Sequence, residues 1–275
     1  MLAGCAQDES LSPTAGDDLP PETYPLQISS LTISGGEEPW TRVTENEDGM
    51  GSHWTGGERI GVRIGDNEEM GIYIINVDDA GNVTVTPETP VYWKNTQTAE
   101  VTAWYPATDG ALFLGGQDNG LVYVLRATAD NASHNTPVNL QFEHQLAKVR
   151  VVTTGTANVT DIKLVNVPTY CHIEEGKITK QEGSTSARID MLQVEREGIG
   201  TCWEANVGPD VELKHFEITI LIGNGMTNPV CELSSPVITQ AGALHTITWT
   251  VNNKGTQSIR LSTDSIGSNG TEQSQ

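Results

Sequence analysis

Gly71-Ile72-Tyr73-Ile74-Ile75-Asn76-Val77, then Asp78-Asp79-Ala80-Gly81, then Asn82-Val83-Thr84-Val85-Thr86 is the stretch whose reading decides the fold. Both arms are rich in β-branched and aromatic side chains, and the short acidic break between them ends in glycine. That pattern predicts a hairpin, with Gly81 supplying the positive φ its turn demands. Upstream, Glu58-Arg59-Ile60-Gly61-Val62-Arg63-Ile64 alternates with period two, as a strand with one buried face does. Further strands are expected at Glu100–Tyr105, Leu121–Ala127, Pro137–Phe142, Ala147–Thr153 and Val159–Val167. The same rhythm continues at Cys202–Val207, His215–Ile222, Ala243–Val251 and Ser258–Leu261. No window carries a helical apolar stripe. Short strands separated by Gly, Asn, Asp and Pro predict an all-β chain of antiparallel sandwiches. Its length suits two of them, over residues 26–140 and 141–275, preceded by an acidic, unstructured leash over residues 1–25.

Composition narrows the partners. The 275 residues carry 36 acids and 15 bases, a net charge of −21. No run of Lys and Arg forms a stripe, so a nucleic acid partner is not expected, because phosphate contacts need clustered cations. No apolar run is long enough for a membrane-spanning helix. Cys171, Cys202 and Cys231 match no metal-ligand spacing. One disulfide with a free thiol and three buried thiols both remain open for them. No catalytic motif, cofactor loop or metal set is found, and the adjacent Cys171 and His172 would face opposite sides of a strand. The chain therefore reads as a non-enzyme.

At the amino terminus Leu2-Ala3-Gly4-Cys5 resembles a bacterial lipobox, which makes Cys5 the lipidation candidate. Asp8 and Glu9 just beyond it resemble an acidic surface-export signal of Bacteroidetes lipoproteins. Two or three acyl chains give stable anchoring, at about 0.8 kcal/mol per buried methylene.

Several motifs occur in a fixed order: Trp40-Thr41-Arg42-Val43, His53-Trp54-Thr55-Gly56-Gly57-Glu58-Arg59-Ile60-Gly61-Val62, Tyr92-Trp93, Val101-Thr102-Ala103-Trp104-Tyr105-Pro106, and Phe142-Glu143-His144-Gln145-Leu146-Ala147-Lys148-Val149. The series resembles the fimbrillin family of Bacteroidales, the lipoprotein pilins and tip subunits related to FimA and Mfa proteins. Glu58 stands where the family usually has Asp, and Trp104 replaces a commoner Tyr. The resemblance implies two tandem sandwiches of transthyretin-like, Greek-key type. It implies a fimbrial or adhesion subunit, held by lipid at the outer membrane during export and joined to other fimbrial subunits by strand addition, with a host or bacterial surface receptor as a further partner. It also implies cleavage after Arg42, which would free the first strand. Leu26, Ile28, Leu31 and Ile33 are the edge candidates of that strand. Ile259 and Leu261 are donor-strand candidates, or else belong to the last strand of the second sandwich. His144 reads as an interdomain residue. Trp54, Trp93 and Trp104 read as core plugs; exposed and coplanar, they would instead favour the alternative of a cell-surface glycan-binding lipoprotein.

Overall fold

A computed structural model describes residues 18–34, 44–45, 49, 51–67, 69–182, 187–252 and 255–265; for 44–45 and 255–265 it describes the backbone alone. No helix occurs among the described residues. The strands are β1 (Ile28–Ile33), β2 (Thr44–Glu45), β3 (Ser52–His53), β4 (Arg59–Ile64), β5 (Gly71–Val77), β6 (Val83–Thr89), β7 (Ala99–Tyr105), β8 (Gly110–Phe113), β9 (Leu125–Ala132) and β10 (Val138–His144). They continue with β11 (Ala147–Thr154), β12 (Asn158–Val165), β13 (Tyr170–Glu174), β14 (Lys177–Glu182), β15 (Arg188–Asp190) and β16 (Leu192–Arg196). The last are β17 (Gly200–Val207), β18 (Glu212–Ile222), β19 (Gly225–Thr227), β20 (Val230–Ile238), β21 (Ala243–Asn252) and β22 (Gly255–Ser265).

The first sheet has the order β1-β10-β9-β7-β4-β5-β6. Its β5–β6 hairpin turns where the acidic break stands. The Asp78 carboxylate accepts hydrogen bonds from the backbone of Ala80 and Asn82 and from the Asn82 amide, and these hold its pKa below the usual range. Gly81 closes the turn at φ 83°. Next to the hairpin, Gly61 on β4 lies opposite Trp104 on β7. A Cβ at Gly61 would stand 2.5 Å from the indole, so the missing side chain is what lets the ring lie across the strand. Trp54, Ile60, Val62, Tyr73, Leu140 and Phe142 form the centre of the first buried cluster.

A second cluster, with Trp203, Phe216 and Trp249, lies between the sheet β16-β17-β11-β21-β22 and the sheet β15-β12-β18-β19, in which β20 also pairs with β18. The two halves interlock. Strand β8 leaves the first half to pair with β13, and the Leu114 that follows it packs in the second cluster. The buried Gln117 then ties this excursion to Asn206 through two hydrogen bonds. A division at residue 140 falls inside β10, whose Phe142 still packs in the first cluster, while Leu146 packs in the second. Two ladders, β1 with β10 and β11 with β21, are parallel, against the antiparallel expectation. About a hundred residues separate the members of each pair, so no tight hairpin dictates their direction. Cys171, Cys202 and Cys231 are buried and form no disulfide among the described residues.

Candidate functional site

Strand β1 lies at the margin of the first sheet. Its parallel register matches Leu31 with Leu140 and Ile33 with Phe142, after an irregularity between Ile28 and Ser30. Leu26, Leu31 and Ile33 are buried in the first cluster, and Ile28 is half-buried against it. Flanking bonds clip the ribbon: Leu26 N donates to Val91 O at 2.9 Å, and Ser34 N to Phe142 O at 2.8 Å. On the exposed face, Ser29 and Ser30 donate to the Asn139 side chain, each at 2.7 Å.

The other flank of β1 differs. Among the described residues β1 makes a ladder with β10 alone, and β6, at the opposite end of the sheet order, makes one with β5 alone. The sheet curls so that these two margins approach without pairing. Between them opens a cavity of about 320 Å³ lined by Leu31, Ile33, His53, Trp54, Asn82 and Val83. Trp54 is edge-on to Phe142 at 5.0 Å, and its buried Nε1 has no hydrogen-bond partner among the described residues. Unpaired strand margins carry backbone donors and acceptors that invite another strand. Against that stands the grip of the core. Three buried aliphatic side chains contribute about 5–9 kcal/mol. Cutting the chain beside β1 would not by itself drive the strand out; an incoming strand must supply an equivalent set of contacts.

Ile259 and Leu261 lie on β22, whose backbone pairs with β21 in antiparallel register, Leu261 beside Ile247 and Ile259 beside Trp249. This strand is also at a sheet margin. The structure thus puts both chain-end ribbons at margins, but of different sheets. Cys5 and Arg42 lie outside the described residues. The chain reappears two residues after Arg42 as β2, which pairs with β3 in a small hairpin.

Sequence reasoning missed a buried charge cluster on the second sheet. Period two puts Lys148 and Arg150 of β11 on one face, where each is 2% exposed, and Glu204 of β17 lies fully buried opposite Arg150. Arg150 Nε donates to Glu204 Oε1 at 2.6 Å, and Arg196 of β16 donates to both Glu204 oxygens. Burial alone would raise the Glu204 pKa; Lys148, Arg196 and Arg150 outweigh it and bring it down to about 2. Lys148 Nζ also donates to Gly49 O at 2.7 Å, so the β2–β3 segment touches the second sheet. The alternation Ala147-Lys148-Val149-Arg150-Val151 was the available signal, but it reads equally as a solvated face.

His144, at the end of β10, is buried near the Tyr123 ring, and its Nε2 has no hydrogen-bond partner among the described residues. The residue stands at the junction between β10 of the first sheet and β11 of the second, in neither apolar cluster. Burial first, and Lys148 second, lower its pKa to about 4. Both His144 and Glu204 have folded values below their unfolded ones, so each contributes stability at high pH that is lost on acidification. Between pH 6.5 and 4 the loss belongs to His144; between 4.5 and 2 it belongs to Glu204. A His144→Gln variant should therefore show a flatter stability profile between pH 6.5 and 4.5 in denaturant titrations, with the steeper fall below pH 4.5 retained. An identical slope in both proteins above pH 4.5 would refute the assignment.

Trp54, Trp93, Trp104, Trp203 and Trp249 are all buried. The exposed aromatic pair Phe113 and Tyr170 is tilted by 47°, so it is not a coplanar sugar platform. No group of three His, Cys, Asp or Glu residues suited to a metal occurs among the described residues.

Comparison with known proteins places this arrangement. The profile of the fimbrillin-like family matches residues 41–265. Solved structures of provisionally assigned cell adhesion proteins from Bacteroides uniformis and Bacteroides ovatus each share the fold at a TM-score of 0.61 and 15% identity, over 86% of this chain and 98% of theirs. The tip fimbrial protein Mfa3 of Porphyromonas gingivalis, truncated at its C-terminus, is similar at a TM-score of 0.49 and 9% identity, over 75% of this chain and 92% of that one. No curated protein matches closely enough to count as a relative.

Proposed function

The chain belongs to the fimbrillin-like family, and on that premise we propose that it is a non-enzymatic fimbrial or adhesion subunit whose first strand is exchanged for a strand of a neighbour. The supporting observation is the margin position of β1: one ladder among the described residues, with β10, and an open cavity on the other flank. Loss of β1 would leave the margin of β10 unpaired and the places of Leu31 and Ile33 vacant. An extended, alternating strand from another subunit fits such a vacancy, its backbone giving affinity and its alternate side chains setting register. β22 is the donor candidate within this chain. Before it could serve, it would have to leave β21. A subunit that keeps both ribbons in place suits a tip or accessory position better than a repeating stalk.

Release of β1 is assigned to cleavage after Arg42. Lipid on Cys5 would hold the precursor at the outer membrane, with a surface fimbrium as its destination. Exposure to an Arg-specific protease should yield a product beginning at Val43, and Arg42→Ala should stay full-length under the same conditions. Equal shortening of the variant would remove the processing site.

A further inference from the structure

The β2–β3 hairpin begins just after Arg42 and is rooted in the first cluster through the buried Trp54. Its described turn residue, Gly49, meets the second sheet instead. Gly49 O accepts from Lys148 Nζ at 2.7 Å, deep in the fold. Gly49 has φ 70°, a left-handed value that glycine tolerates and most residues do not. A Cβ there would stand 2.8 Å from Cζ and Nε of Arg196 and closer still to Arg150. Neither guanidinium can easily withdraw, because both are held by Glu204. Position 49 thus fits glycine and a carbonyl aimed at a buried lysine.

We infer that the β2–β3 hairpin is a latch, with Lys148, Arg150 and Arg196 as positioning residues that keep the chain after Arg42 on the second sheet while β1 leaves the first. This rests on the processing reading above. The need for such a device follows from concentration. Once β1 departs, β3, which touches β1 in the intact fold, stays tethered beside the vacated margin. A tethered segment acts at an effective concentration in the millimolar range, well above that of a free subunit. Left loose, it would refill the margin from within and block a neighbour's strand. Docked on Lys148, it cannot.

The test is amide exchange and polymer growth on full-length protein before and after Arg-specific cleavage, with Lys148→Met and Gly49→Leu as the variants. In the wild type, residues 44, 45, 49 and 51–53 should keep their protection after the cut. In both variants exchange there should rise about tenfold, in cut and uncut protein alike, and polymer growth should slow by a similar factor. Gly49 belongs to neither apolar cluster, so Gly49→Leu serves even if Lys148→Met folds poorly. Unchanged exchange in the variants, or faster exchange with undiminished growth, overturns the latch. A chain the protease does not cut overturns the processing reading instead, while exchange in the uncut protein still decides the latch.

Discussion

Glu204→Gln lowers the unfolding free energy by about 3–5 kcal/mol, the cost of breaking a buried ion-pair cluster by removing one member. The carboxylate is fully buried and serves two guanidiniums, with Lys148 adding its own attraction. Neutralising it removes the carboxylate that Arg150 and Arg196 share and the charge that attracts Lys148. An opposing effect exists. At a net charge of −21, losing one acid also relieves repulsion across the whole chain. Surface changes of that kind are worth about 0.5 kcal/mol or less, so the local loss wins. The comparison variant is Glu88→Gln. Glu88 pairs with Arg59 at the surface, with both side chains well exposed, where such pairs contribute about 0–1 kcal/mol. Urea denaturation of the two variants should separate them clearly. A loss below 1 kcal/mol for Glu204→Gln would mean that the cluster is hydrated or that its cations find other acceptors.

The fold was legible where one sheet face is buried and the other is wet. Arg59–Ile64, Gly71–Val77 and Val83–Thr89 alternate because β4, β5 and β6 do, and the Asp78–Gly81 turn announced itself through its own side-chain chemistry. Strands β13 to β16 were missed, since Tyr170–Glu182 and Arg188–Arg196 mix charged and apolar residues without clear period. Two of them are ordered by partners distant in sequence, β8 for β13 and β12 for β15, while β16 forms a local hairpin with β17. The strand expected at Leu121–Ala127 lies instead at Leu125–Ala132, because Val122 and Val124 pack as loop residues against the second cluster. No local pattern could show that residues 110–124 cross to the other half.

The candidate site divides in the same way. Leu26, Ile28, Leu31 and Ile33 showed an extended apolar ribbon, and hydrophobic pattern told which side chains point inward. Which strand would receive them was beyond reach, because parallel pairing with β10 spans about a hundred residues of intervening chain. The charge cluster was hidden for a different reason. Lys148, Arg150, Arg196 and Glu204 carry the residue types of a solvated face, and their burial depends on what covers the sheet. The contacts of Gly49 with Lys148, Arg150 and Arg196 reveal that a segment beside Arg42 is among the covering pieces.

The strongest effect expected of any variant is on assembly. Thr32 and Gln141 are exposed neighbours in the β1–β10 register, so cysteines there can join the two strands without entering the core. The native thiols at Cys171, Cys202 and Cys231 are buried and should not compete. The direct measurement is polymer formation by Thr32→Cys/Gln141→Cys after Arg-specific cleavage, oxidised and then reduced. Strand exchange predicts no polymer while the disulfide holds β1 in place, and growth at the wild-type rate once it is reduced. Polymer of normal length from the oxidised, fully cross-linked protein would show that β1 never leaves, and would contradict the account at its centre.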